Sequence, residues 1–118
     1  MKDLAPDIVR QRLLIEGVYA RVIDHAAVVE YLTGVASHLG LRTYGQPIVH
    51  APGGAGSAEN QGFDAFIPLI DSGISLYVWT QKRFFASVLF TCKLFDVNEA
   101  LRFTRTFFAA TELEHRPF

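Results

Sequence analysis

Between Ile74 and Trp79 the residues alternate one for one: Ile74, Leu76 and Val78 share one side of an extended chain, and Ser75, Tyr77 and Trp79 share the other. A strand with that pattern buries one face and leaves the other open, so it belongs to a sheet with a core on one side. Its neighbours can supply that sheet. Arg12 to Val22 reads as a strand broken around Gly17, Leu41 to Val49 as a strand with Pro47 at an edge or bulge, and Phe63 to Ile70 and Phe84 to Thr91 as apolar strands. Two helices supply the cover. From His25 to Leu39, Ala27, Val28, Tyr31, Leu32, Val35 and Leu39 recur at helical spacing behind Asp24 as N-cap, and Gly40 closes the helix. Asp96 caps a second helix, with Val97, Ala100, Leu101, Thr104, Phe107 and Phe108 along one stripe. Met1 to Asp7 reads as a polar lead-in, Ala51 to Gln61 as a loop, and Glu112 to Phe118 as a polar tail.

Strands joined by short turns are antiparallel, and two amphipathic helices cover only one face of such a sheet. The expected architecture is therefore α+β, a two-layer sandwich whose antiparallel sheet is covered on one face by two helices. The uncovered face carries aromatic and polar side chains, which favours a homodimer.

At 118 residues the chain makes one domain, residues 1–118, with half of its residues apolar. A net charge of −1 with interspersed signs leaves no basic stripe for nucleic acid and no polybasic anchor. No apolar run approaches the roughly 20 residues of a bilayer span, and the start lacks a secretion pattern. A single cysteine cannot form an internal disulfide, as suits a reducing cytoplasm. The expectation is a cytoplasmic protein without membrane or nucleic-acid partners.

Few residues carry recognisable chemistry, and each has a plain alternative. Gly53-Gly54-Ala55-Gly56 lacks the lysine of a phosphate-binding loop and is better read as a hairpin loop. His25, His38, His50 and His115 lack the three- or four-residue pairing of metal ligands, so no metal is expected. Asp71-Ser72-Gly73 is common turn composition, yet an acidic-Ser bond can also be cut from within by the serine hydroxyl. Cys92, twenty residues on, is by default a buried small hydrophobe, yet a thiol beside such a bond can move a proton.

From Ser72 to Ala100 the spacing resembles, without a gap, that of the bacterial S-adenosylmethionine decarboxylase proenzymes. The corresponding features are Asp71-Ser72, Trp79, Phe90-Thr91-Cys92, Asp96 and Ala100. Gln61-Gly62, His50 and Arg12-Leu13-Leu14-Ile15-Glu16 extend the resemblance upstream, although the Ala51 to Asn60 loop is longer than the family's usual one.

The resemblance implies self-cleavage at Asp71-Ser72. The hydroxyl attacks the preceding carbonyl to form an ester, and elimination and hydrolysis then split the chain and leave a pyruvoyl group derived from Ser72 as its cofactor. That ketone condenses with the substrate's amino group and accepts electrons as carbon dioxide leaves, in place of pyridoxal phosphate. Carried over by position, Ser72 becomes the pyruvoyl, Asp71 ends the first fragment and Cys92 is the proton donor. Trp79, Glu16 and His50 fall at substrate-binding positions. The substrate would be S-adenosylmethionine, for polyamine synthesis, or another amino acid such as ornithine or arginine.

Several positions depart from the family pattern. Gly73 replaces a histidine after the cleaved serine, Tyr77 replaces the histidine that assists processing, and Asp64 replaces a processing serine. Leu94 and Arg12 stand where an acid and a histidine are usual. A phenol with an ordinary pKa of ~10 is a poor base near neutrality, whereas a buried Asp64 raised in pKa could serve. The alternative is an uncleaved homologue acting as a regulatory or ligand-binding subunit.

Overall fold

Asp24 and Asp96 each start a helix by satisfying an otherwise orphaned backbone donor. The Asp24 carboxylate accepts the Ala27 N–H at 2.8 Å and that of Asp96 accepts the Glu99 N–H at 3.2 Å. The helices are α1 (His25–His38) and α2 (Val97–Phe108). Leu39 caps α1, and Gly40 follows with φ +69°, a left-handed exit that glycine takes without steric cost. The computed structural model describes residues 1–51 and 61–118. The glycine run of residues 53–56 and most of the expected loop lie outside the described residues.

Among the described residues the strands are β1 (Gln11–Val18), β2 (Ile48–His50), β3 (Gly62–Leu69), β4 (Ser72–Trp79), β5 (Phe84–Thr91) and β6 (Glu112–Pro117). They form one antiparallel sheet in the order β2-β3-β4-β5-β1-β6. Alternation holds across it: Leu13 and Ile15, Ala65, Ile67 and Leu69, Ile74, Leu76 and Val78, and Phe85 and Leu89 are all buried with the apolar sides of the helices. Among the described residues no helix covers the other face. No described helix is long and apolar enough to cross a membrane.

The core closes around aromatic rings. Phe108 stacks on Phe85 with centroids 3.8 Å apart and an interplanar angle of 10°, and Tyr31 meets Phe108 at 4.9 Å. The fully buried Tyr31 hydroxyl donates to Ser87 Oγ at 3.0 Å and shares a 3.0 Å bond with Thr104 Oγ1. Three polar side chains on α1, β5 and α2 thus satisfy one another in the core.

Three sequence expectations need correction. The first strand is not broken at Gly17. It runs on to Val18, and a β-carbon at Gly17 would lie 2.8 Å from the Phe85 ring, so the glycine makes room for that ring. Leu41 to Val49 is mostly not strand. Thr43 makes an isolated bridge to Leu69, and only Ile48–His50 pairs with β3, beginning after Pro47, which has no N–H to give a ladder. The polar tail is the edge strand β6, paired with β1 from Leu13↔Pro117 to Val18↔Glu112. Its sequence gives little sign of a strand because Leu113 is its one apolar residue packed on the core; at an edge, main-chain pairing suffices without further apolar side chains.

Phe108→Ala would remove the ring shared by Phe85, Tyr31 and Tyr19, at an expected cost of about 3–5 kcal/mol. Urea unfolding measures it; a loss under about 1 kcal/mol would contradict this packing account.

Candidate active site

β3 turns into β4 through two residues, Ile70 and Asp71, so that Leu69 faces Ser72 across the turn. Ser72 has φ +115°, a region in which a residue with a β-carbon is strained by about 1–3 kcal/mol. That torsion adjoins the Asp71–Ser72 amide. Persistence of such strain requires neighbours that over-determine the backbone, and the turn has them on both sides.

On one side lies Arg42. Its carbonyl accepts the Ile70 N–H at 2.8 Å, and its own N–H donates to Asp71 Oδ2 at 3.0 Å. Its guanidinium donates from Nη2 to Oδ1 at 2.8 Å and more weakly from Nε to Oδ2 at 3.4 Å. The Asp71 side chain is buried, whereas the Arg42 side chain is 65% exposed. Hydrogen bonding from the Arg42 side chain, then from its backbone N–H, holds the Asp71 carboxyl down at about 2. Asp71 is therefore a locked anion near neutrality and a weak proton acceptor.

On the other side lies Cys92. Its N–H donates to the Asp71 carbonyl oxygen at 2.9 Å, and its side chain is exposed. The local sequence fixes that position. The buried Thr91 hydroxyl donates to the Lys93 carbonyl at 2.8 Å, bending the chain around Cys92. The Gln11 amide then exchanges two 3.0 Å bonds with the Phe95 backbone, one from Nε2 to O and one from N to Oε1. Lys93 Nζ reaches the Gly40 carbonyl at 2.8 Å and joins the two flanking loops. Asp71, Ser72 and Cys92 are thus brought together at one end of the sheet. A carbonyl beside a serine hydroxyl, with a backbone N–H on its oxygen, is equipped for internal acyl transfer.

Tyr77, Asp64, His50 and Glu16 gather elsewhere. Tyr77 faces Asp64 on one side and Ala86 on the other; Asp64 faces His50, and Ala86 faces Glu16. They form one row across the uncovered face, with neighbouring strands about 4.8 Å apart. His50, Asp64 and Tyr77 line a shallow depression of about 240 Å³ with Phe66 and Ser75. Tyr77 is five residues along β4 from Ser72, about 17 Å of strand, and Trp79, packed on Phe84 at 5.2 Å, is farther still. Within one chain the row does not reach the turn. Among the described residues no group of three or more His, Cys, Asp and Glu side chains is placed to hold a metal.

Phe66 accounts for the glycine after Ser72. A β-carbon at Gly73 would come within 2.4 Å of the Phe66 ring, which occupies the space above that position. Arg12 lies opposite Phe90, and Leu94 is exposed. Arg42 is the contributor that sequence reasoning missed. It is 29 residues from Asp71 in sequence, in a segment read as strand, with no motif to mark it.

The family model for S-adenosylmethionine decarboxylase matches residues 13–118. The chain belongs to that family. The crystal structure of the adenosylmethionine decarboxylase from Aquifex aeolicus VF5 superposes with a TM-score of 0.72, covering 94% of this chain and 89% of that one at 18% identity. This shows that the two share the S-adenosylmethionine decarboxylase fold. No curated protein sequence matches significantly. Members of the S-adenosylmethionine decarboxylase family are in general pyruvoyl-dependent. The strained Ser72, its hydrogen-bonded neighbouring carbonyl and the adjacent Cys92 fit the making of such a group here.

The Asp71 carboxyl titrates near 2 when folded, against an ordinary 3.8. Its contribution to stability is therefore fully present above the ordinary value and is lost as pH falls through about 2. Asp71→Asn should lower the urea midpoint near neutrality, with the gap to wild type narrowing as pH falls from the ordinary carboxylate value toward 2. A gap that stays constant would contradict this assignment.

Proposed function

We propose that the chain is a pyruvoyl-dependent amino-acid decarboxylase that processes itself between Asp71 and Ser72. The observation carrying this reading is the Asp71–Ser72 linkage itself: a serine at φ +115° whose preceding carbonyl accepts the Cys92 N–H. Family membership supplies the reaction class. The preferred substrate is S-adenosylmethionine, which would place the protein in polyamine synthesis.

Each residue has a task. Ser72 Oγ adds to the Asp71 carbonyl carbon, and negative charge gathers on the oxygen to which the Cys92 N–H already points. The strain at Ser72 raises the starting state and is relieved as the amide opens. A pyruvoyl group derived from Ser72 would supply a ketone able to hold the substrate's amino nitrogen and to act as an electron sink for decarboxylation. The Cys92 thiol, exposed beside that terminus, returns a proton to the substrate carbon.

The row of His50, Asp64, Tyr77 and Glu16 is assigned to the partner's site in a homodimer. Phe66, Tyr77 and Phe90 are 38–42% exposed on the uncovered face, and packed sheets lie about 10 Å apart. Two copies facing each other across that gap would bring one chain's row toward the other's turn. Tyr77 would then orient a processing water or hydroxyl, and Glu16 and Trp79 would meet the substrate.

Intact-mass analysis tests the reading. The wild type should resolve into residues 1–71 and a pyruvoyl-led 72–118. Ser72→Ala should remain whole and inactive, and Cys92→Ala should be cut yet turn over about 10²–10⁴-fold more slowly. A wild-type chain that stays whole on prolonged incubation would instead favour a binding subunit. Co-expressing Ser72→Ala with Tyr77→Ala checks the shared site: cleavage of the Tyr77→Ala chain should recover in the mixed dimer. No recovery would confine Tyr77 to its own chain.

A further inference from the structure

Arg42 directs its main-chain N–H, its carbonyl and two of its three guanidinium nitrogens at the hairpin tip, and little of this is explained by packing. Its side chain is 65% exposed, so it fills no core. Its main-chain N–H and carbonyl already dock the segment against Asp71 and Ile70. The guanidinium fork adds a planar hold on the Asp71 carboxylate, with Oδ1 at 2.8 Å and Oδ2 at 3.4 Å. That carboxylate is one carbon away from the α-carbon bearing the scissile carbonyl. Fixing it fixes rotation about the Asp71 side chain, while the Cys92 N–H fixes the carbonyl oxygen from the opposite side.

We propose that Arg42 is a positioning residue for self-cleavage: its fork on the Asp71 carboxylate holds the Asp71 carbonyl carbon in the path of Ser72 Oγ. This rests on the self-processing reading above. The step served is the acyl shift alone. Ser72 Oγ forms a bond to the Asp71 carbonyl carbon and releases its proton; the bond from that carbon to the Ser72 nitrogen breaks, and the nitrogen gains a proton. The product is an ester between Asp71 and the Ser72 side chain with a free amino group, and no oxidant or co-reactant is consumed. Arg42 touches neither atom of the breaking bond. Its effect is on the fraction of time in which the hydroxyl and carbonyl are aligned, where small displacements cost large factors in rate.

The test follows cleavage of the full chain by intact mass for wild type, Arg42→Ala and Arg42→Lys. Arg42→Ala keeps both main-chain bonds to the tip, and circular dichroism and thermal melting check its fold. Its cleavage should slow by roughly 10–100-fold, with Arg42→Lys intermediate and millimolar guanidinium restoring part of the Arg42→Ala rate, which a general loss of stability would not allow. Hydroxylamine, which cuts esters, should not speed Arg42→Ala to the wild-type extent, because the ester itself forms slowly. Cleavage of Arg42→Ala at the wild-type rate overturns the proposal, as does full recovery with hydroxylamine, which would place the defect after the acyl shift. If Arg42→Ala does not fold, Arg42→Lys is decisive: a wild-type rate overturns the proposal and a slowed one supports it. A wild-type chain that never cleaves removes the self-processing reading together with this one; a cleaving wild type with unaffected variants removes this one alone.

Discussion

Covering the sheet on one side only divides every strand residue into two classes, and that division governs the molecule. The covered side must be apolar and close-packed, and it is: Leu13, Ile15, Ile67, Ile74, Leu76, Phe85 and Leu89 meet the helices, with Phe108 stacked on Phe85. Because side chains alternate with a period of two, fixing Leu76 and Val78 inward forces Tyr77 outward, and the antiparallel registers carry that choice from strand to strand. The row from His50 through Asp64 and Tyr77 to Glu16 is therefore a consequence of core packing. A one-residue slip of β4 would send Tyr77 into the core and dissolve the row.

The turn at Asp71 escapes that alternation, and a different set of forces holds it. Main-chain bonds from Arg42 and Cys92 seize it from both sides, and the loops bearing those residues are themselves tied down by Gln11, Thr91 and Lys93. A serine at φ +115° can persist because these bonds leave the backbone no cheaper arrangement. Many of the holding contacts use backbone groups, which any residue other than proline supplies in full. The fold as a whole is shared at 18% identity.

The covered half of this design was legible in the sequence, because burial leaves a periodic trace. Ile74 to Trp79, the stripe ending in Phe107 and Phe108, and the caps Asp24 and Asp96 each announce their element. Where burial is one-sided and shallow the trace fades: Glu112 to Pro117 is polar at an edge, and Gly17 reads as a break although it serves a neighbouring ring. Asp71, Ser72 and Cys92 could be found from spacing because a hairpin brings residues twenty apart to adjacent strands. Arg42 could not, since its approach depends on how the segment after α1 folds back along the end of β3. The separation of Tyr77 and Asp64 from Ser72 was equally hidden; a count of residues along a strand yields it only once the strand's limits are known.

That separation bears on where the Ser72 proton goes. The side chains acting on Asp71 are Arg42 and Lys93, both cations, and Asp71 itself is an anion already committed to Arg42. Cations beside the carbonyl favour the charge that develops on its oxygen, but they accept no proton. The residue that the sequence offers as a base, Asp64, lies across the sheet in the depression beside Tyr77. One chain thus carries a strained, polarised bond at one end and that candidate base about 17 Å away along the strands. In the proposed homodimer the second chain would close that distance, with the exposed aromatic face as the surface on which the two would meet.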